Sequence, residues 1–357
     1  MEAPNTPPRK GRRIWHWLRR ALLGLVALAV AAGLVGAIYQ ASAAAREAAR
    51  FPPPGRLVDV GGHRLHLNCT GQGSPTVILD AGLGEASLSW SKVQPEAAKF
   101  TRVCSYDRAG YAWSEAGPAP RTSAQIVREL HTLLGNAGIA GPHVLAGHSF
   151  GGYNVRLFAA QYPAEVAGMV LVDSSHEDQF ERMQFLSSKM RMAGLLMKAT
   201  PWLARLGVLR LFGQPIGNVK DYAAEAQPLA RGIGFQSNAY DGAASEYAFL
   251  LESAAEVRAV KTPGGHLLLG DKPLTVLMQG DASKISAQFS PEERAEFVKV
   301  WRELQTDLAT RSSNGTLVVA EKSSHYVLLD EPQLVIEALR RACEPANKQT
   351  PPATATK

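Results

Sequence analysis

The sequence predicts an α/β domain: a mostly parallel, twisted sheet covered by helices, with a helical cap inserted between two strands and a membrane-length helix in front. Three observations carry that expectation. Between residues 56 and 343, short continuous apolar runs alternate with stretches of helical spacing, the pattern of a sheet buried on both faces. From His176 to Gly270 the alternation stops and only helical patterns remain, such as Gln184 to Ala204 and Ala243 to Arg258. Ahead of the domain, Ala21 to Tyr39 holds no charge and is mostly Leu, Val, Ala and Gly, close to the roughly 20 apolar residues that cross a bilayer as a helix.

The chain divides accordingly. Residues 1–16 form a basic cytoplasmic tail, 17–39 the transmembrane helix and 40–55 a linker ending in Pro52-Pro53-Pro54-Gly55. Residues 56–343 are the α/β domain with its cap at 176–270, and 344–357 a disordered tail of mostly Pro, Thr, Lys and Ala. Residues 1–20 carry Arg9, Lys10, Arg12, Arg13, Arg19 and Arg20 against Glu2 alone, with Trp15 and Trp17 at the end of the apolar run. Basic flanks stay cytoplasmic, so a single-pass anchor in the cell membrane is expected to hold the domain on the extracytoplasmic side. The alternative is secretion after signal-peptide cleavage near Ala43, because Ala41-Ser42-Ala43 fits an A-x-A site. The apolar run is longer than the about 7–15 residues usual in a signal peptide, which favours the anchor. With much of the formal charge of +6 concentrated at the N-terminus, the rest of the chain is near neutral, which argues against nucleic acid as a partner.

Leu57 to Val60 and His63 to Cys69 read as a hairpin turning at Gly61-Gly62. Thr76 to Leu79 and Arg102 to Tyr106 are short buried strands, and Thr122 to Leu134 is a helix with Ile126, Leu130 and Leu133 on one face. Val144 to Ala146 is a strand and Tyr153 to Gln161 a helix. Met169 to Val172, Leu274 to Met278 and Thr316 to Ala320 are the remaining strands, and Pro332 to Arg341 closes the domain as a helix.

Gly147-His148-Ser149-Phe150-Gly151-Gly152 lies between a predicted strand and a predicted helix, the setting in which G-x-S-x-G marks a nucleophile elbow. A serine there sits in a strained turn, and flanking glycines let neighbouring backbone pass. The helix that follows brings free N–H groups and a positive dipole to the reacting oxygen. Asp80-Ala81-Gly82-Leu83-Gly84, Tyr106-Asp107-Arg108-Ala109-Gly110-Tyr111 and Ser324-His325-Tyr326 add to this elbow. Together they make the chain resemble a bacterial α/β-hydrolase-fold family across most of residues 55–342. The resemblance implies that fold and a carboxylesterase- or lipase-like serine hydrolase acting on carboxylic esters and related acyl compounds.

On that resemblance Ser149 is the nucleophile and His325, last in chain order, the general base that activates it. The acid that orients the imidazole has two candidates. Many relatives place it three residues beyond a glycine, after the strand that here ends at Met278. That position holds Ser283, and Asp281 lies two residues early. Other relatives place it at the end of the preceding strand, where this chain has Asp173. Asp173 is the first choice and Asp281 the alternative. The oxyanion hole is expected from the backbone N–H groups of Phe150 and Leu83. Asp107 and Arg108 are expected to brace the loop before Tyr111, and His148 to turn its ring away from the reaction. His176, at the cap entrance, is a candidate to line the pocket. The strands of Cys69 and Cys104 are neighbours in this fold, so one bridge can form in an oxidising compartment; two buried thiols are the preferred reading. With Cys343 the count is odd, so the cysteines cannot all be paired.

No metal or cofactor is expected, because Cys and His do not cluster at ligand spacing and no G-x-x-x-x-G-K loop is present. A serine nucleophile separates the chain from epoxide hydrolases and haloalkane dehalogenases, which use Asp. The cap's Met183, Met190, Met192, Met197, Leu195, Leu196, Trp202 and Leu203 suit a flexible acyl or lipid-like substrate, with plain packing of the cap as the equal alternative. The rival functions are acyl transfer or proteolysis on the same triad, and a non-catalytic binding role on the same fold. Substrate and oligomeric state are not legible in the sequence.

Overall fold

The computed structural model describes residues 9–213, 215–260, 268–285 and 289–349. Arg56–Asp59 (β1), Arg64–Thr70 (β2), Thr76–Asp80 (β3), Val103–Tyr106 (β4), His143–His148 (β5), Val166–Val172 (β6), Leu274–Gln279 (β7) and Gly315–Ala320 (β8) make one sheet. Its order is β1-β2-β4-β3-β5-β6-β7-β8. Only the β1–β2 and β2–β4 pairs are antiparallel. The first hairpin turns through Gly61 and Gly62, whose φ values of 102° and 101° suit residues without a Cβ. Every residue of β3, β4, β5 and β7 is buried, which is why those strands read as continuous apolar runs.

Helix α1 (Arg9–Arg50) precedes the sheet, and α2 (Ser123–Asn136) and α3 (Gly151–Gln161) follow β4 and β5. The segment between β6 and β7 holds α4 (Gln184–Met197), α5 (Thr200–Arg205), α6 (Gln227–Ile233), α7 (Ser237–Ala248) and α8 (Leu250–Arg258). Helices α9 (Pro291–Ala309) and α10 (Pro332–Gln349) complete the chain. Alternation along the strands splits the core into two layers. Ile78, Leu145 and Leu171 face Ile126, Leu130 and Phe158 of α2 and α3. Val77, Val144 and Val170 face Trp90 and the α10 residues Val335 and Leu339. Helix α9 is not among the expected elements, although the capping box that starts it, Ser290 with Glu293, is written in the sequence.

Three expectations are corrected. Residues 40–50, expected as linker, continue α1 without a break, because the Ala-rich run Ala41 to Arg50 has high intrinsic helix propensity. Gln40 and Ala43 are buried against the cap, with Gln40 donating to the Phe235 carbonyl at 2.6 Å. At the other end α10 extends to Gln349, into the segment expected as a tail. Residues 1–8 of the basic segment, 261–267 of the cap and 350–357 of the tail lie outside the described residues.

The third correction concerns the cysteines. Register places Cys69 directly opposite Cys104 across the antiparallel β2–β4 pair, with a Cα–Cα distance of 4.0 Å, and the two form a disulfide rather than separate thiols. Cys343 is a buried free thiol whose pKa burial pushes up to about 12. A bridge across 35 residues removes loop-closure entropy from the unfolded chain. Replacing both bridged cysteines by alanine is expected to lower the unfolding free energy by about 2–4 kcal/mol. Urea unfolding of the two proteins checks this, and coincident midpoints would mean that the sheet alone constrains the pair.

Candidate active site

Strand β5 ends at His148 and α3 begins at Gly151, leaving Ser149 and Phe150 as the turn between them. Ser149 has φ of +50°, in the left-handed region that costs a non-glycine residue about 1–3 kcal/mol. The strain is held by hydrogen bonds: its N–H reaches the Val172 carbonyl at 3.1 Å, and its own carbonyl accepts from Gly152 and Ser175 at 3.0 Å. The glycines are required by close approach. A Cβ at Gly147 would lie 2.6 Å from the Gly151 carbonyl oxygen, and one at Gly152 only 1.8 Å from Ser174 Oγ.

Asp173 follows β6 and His325 follows β8, on either side of β7 in the sheet. Asp173 is fully buried, and its Oδ2 lies 2.6 Å from His325 Nδ1. Its Oδ1 accepts the Gln279 N–H at 2.9 Å and the Trp301 indole N–H at 2.8 Å, so both carboxylate oxygens are committed. Asp281 is elsewhere. Its N–H pairs with the Ser323 carbonyl, and its Oδ1 accepts from the Ser283 N–H and hydroxyl, capping the turn at Ala282–Lys284. Sequence reasoning missed Trp301 because it missed α9; the Ser290–Glu293 capping box was the signal that could have found it.

His148 does not line the cavity that holds His325; its ring packs against the His325 ring, centroids 4.8 Å apart. Its Nε2 donates to the His325 carbonyl at 3.0 Å, and its Nδ1 meets Glu85 Oε2 at 3.0 Å. The His325 carbonyl can only accept, and a Glu85 carboxylate at Nδ1 favours a proton there as well, so the two contacts together favour the doubly protonated ring. Burial alone would lower the His148 pKa, but the charge and hydrogen bond of Glu85 outweigh it and hold it raised. Burial would likewise raise Glu85, and the His148 charge and hydrogen bond keep it lowered instead. Glu85 Oε2 also accepts the Gly82 N–H at 3.0 Å, so the loop that carries Leu83 is connected through Glu85 and His148 to the backbone of His325. Nothing in the sequence singled Glu85 out.

These opposite shifts fix a pH window. His148 contributes fully below its ordinary 6.5, and loses that contribution as pH rises through its raised value. Glu85 contributes above its ordinary 4.5, and loses it as pH falls through its lowered value. Glu85→Gln is therefore expected to cost most between pH 4.5 and 6.5, by about 2 kcal/mol, with the deficit shrinking toward alkaline pH. Thermal melts of both proteins across pH test this. A deficit that stays constant with pH would point to lost packing rather than lost charge.

Arg108 is buried and reaches further than the loop before Tyr111. It donates to Asp80 Oδ1 at 2.9 Å, to the Ala81 and Gly82 carbonyls at 2.7 and 2.8 Å, and through Nε to Glu246 of α7 at 2.7 Å. Asp107 accepts from the Ser87 N–H and contacts His66 Nδ1, each at 2.7 Å. His176, expected as a possible pocket residue, is buried beside Asp307, 3.0 Å away, and does not line the cavity.

Ser149, Phe150, Leu83 and His325 open onto one cavity of about 350 Å³. Its walls are mainly apolar, with Phe180, Leu186, Met190, Leu250 and Phe297, and its polar members include Gln179, Tyr247 and Lys284. The apolar cap residues separate into four groups: Met190 on the cavity, Met183 in the core beside Trp301, Met197 packed against Tyr111, Ala239 and Ala243, and Met192, Leu195, Leu196, Trp202 and Leu203 on the surface.

Residues 77–338 match the Alpha/beta hydrolase family, and the chain belongs to it. It is 25% identical over 314 residues to the probable transporter efuK of Hormonema carpetanum, covering 81% of this chain and 42% of that one, so the chain spans less than half that relative's length. An AB hydrolase superfamily protein of Gibberella zeae is 27% identical over 288 residues, covering 75% of this chain and 85% of that one. Relatives are thus fungal as well as bacterial, and the resemblance is to the family at large rather than to a bacterial branch. Among solved structures, a Bacillus megaterium epoxide hydrolase superposes with a TM-score of 0.59 at 16% identity, over 80% of this chain and 99% of its own, a likeness of fold.

Proposed function

We propose that the protein is a serine hydrolase that cleaves a carboxylic ester or related acyl substrate through an acyl-enzyme on Ser149. The observation that carries this reading is the buried Asp173 carboxylate 2.6 Å from His325 Nδ1, with His325 and Ser149 on the same apolar cavity. His325 takes the Ser149 proton as Oγ attacks the acyl carbonyl, and the Leu83 and Phe150 N–H groups receive the oxyanion. The alcohol leaves with the proton from His325, and water, deprotonated by His325, releases the acid. Epoxide opening fits less well, since a serine at the elbow replaces the aspartate that forms an ester with an epoxide carbon.

The anchor belongs to the same proposal. Helix α1 is long and apolar enough to span a membrane, and its buried Gln40 and Ala43 favour retention over cleavage near Ala43. The Cys69–Cys104 bridge favours the oxidising, extracytoplasmic side. A fluorophosphonate probe tests the chemistry on the full chain in detergent. Wild type is expected to label on Ser149 and Ser149→Ala to take no label. A folded wild type that stays unlabelled would leave a hydrolase fold that binds rather than cleaves.

A further inference from the structure

The cap presents a surface unlike that of a water-facing domain. Leu196 in α4, Trp202 in α5, and Leu211 and Phe212 just beyond are 69%, 70%, 78% and 70% exposed, joined by Met192 and Leu195. The segments that carry them pack on one another, Thr200–Arg205 touching both Gln184–Met197 and Val208–Leu211, and so many large exposed apolar side chains on adjoining segments mark a contact surface.

This face is joined to α1 within its apolar run. Leu206 packs against Gly33 and Gly36, and a Cβ at Gly36 would fall 2.2 Å from the Leu206 carbonyl oxygen, so the two backbones touch. Arg210 then clamps α1 from outside the run, binding Gln40 Oε1 at 2.8 Å and Glu47 Oε2 at 2.8 Å. Gly33 lies about 9 Å along the helix axis below Tyr39, where the apolar run ends. Helices lying in a membrane interface sit about 5–10 Å deep, so a spanning α1 carries the Leu206 segment to that depth.

A second cavity, of about 470 Å³, opens beside the exposed Leu195 of α4. It shares Phe180, Met190, Tyr247 and Leu250 with the catalytic cavity, and the exposed Leu195 and Leu251 stand on its rim. The shared wall is thin and adaptable: the Tyr247 hydroxyl meets the flexible Met190 thioether at 2.9 Å. Arg191 and Lys198 also line it, suited to anionic lipid headgroups.

We infer that the cap's apolar face rests in the outer leaflet, and that this second cavity admits the acyl chain of a bilayer lipid sideways to Ser149. The docking rests on α1 as a span, and the use of the groove on the acyl-hydrolase reading. Both are read without turnover, in the full chain reconstituted into phosphatidylcholine nanodiscs. Acyl chains brominated near the headgroup are expected to quench the Trp202 emission, taken as wild type minus Trp202→Phe, by roughly twofold or more. An unquenched Trp202 overturns the docking, and two chains per disc in that case would assign the face to a second copy. A phospholipid with a diazirine in its chain is expected to crosslink to residues 187–198 or 247–251. Gly194→Trp, whose Cβ would meet only the Tyr247 ring at 3.5 Å, should cut that adduct about fivefold. Quenching with adducts on α1 alone would keep the docked face and overturn the groove. Loss of fluorophosphonate labelling with both results intact would fell the hydrolase reading and leave a lipid-binding cap.

Discussion

Asp173→Asn is expected to lower kcat for p-nitrophenyl ester hydrolysis by about 10⁴-fold. Asp281→Asn should leave it within about twofold, as an exposed turn cap would. The size of the first effect follows from how the carboxylate is held. Oδ1 accepts two N–H groups, from Gln279 and Trp301, so an asparagine there must turn its carbonyl oxygen toward them. Its amide NH₂ then faces His325 Nδ1, where the carboxylate Oδ2 stood at 2.6 Å. To accept that donor, Nδ1 gives up its proton, and the proton moves to Nε2. A ring protonated at Nε2 has no lone pair left for the Ser149 proton, so the geometry survives while the base is lost. Steady-state kinetics on the two variants decide the assignment. Equal activities, or a slower Asp281→Asn, would remove Asp173 from the proposed triad.

The same residues show what the sequence could and could not disclose. The Ser149 turn was legible because its requirements are local: strand, glycines and helix within a few residues. The strands were legible because burial on both faces leaves a compositional trace. The Asp173–His325 contact joins residues 152 apart, and which strand end reaches His325 depends on the register of β6, β7 and β8. That register left two candidates open. The Cys69–Cys104 bridge was open for the same reason, since a shift of one residue between β2 and β4 would turn the two side chains to opposite faces. Trp301 reaches Asp173 and Glu85 reaches His148 only through contacts between residues far apart in sequence, and neither belongs to a motif. The 40–50 segment departs in the other direction: its alanine run sustains the helix up to Arg50, and only Pro52-Pro53-Pro54 breaks it.

Arg108→Met is expected to cost about 3–5 kcal/mol of stability, a large part of what a domain possesses. Burial would lower the pKa of this guanidinium, but the charges of Glu246 and Asp80 outweigh it and hold it well above its ordinary value. Removing it leaves two buried carboxylates without a cation, one at the end of the central strand β3 at Asp80 and one in the cap at Glu246. Asp80 is already raised by burial, more than Arg108, Tyr106 and Asn154 can offset. A carboxyl raised in the folded state favours folding as it binds a proton, so the variant's deficit should narrow as pH falls. Arg108→Lys should recover only part of the loss, because a single ammonium cannot reach Asp80, Glu246 and the Ala81 and Gly82 carbonyls together. Urea unfolding of Arg108→Met, Arg108→Lys and the triple variant Arg108→Met/Asp80→Asn/Glu246→Gln separates charge from shape. If the loss is uncompensated charge, the triple variant regains most of it; if the triple is no better than Arg108→Met, the bridge matters for its geometry. In that second case the effect should be larger on kcat than on stability, because Gly82 precedes Leu83, whose N–H is proposed to meet the oxyanion.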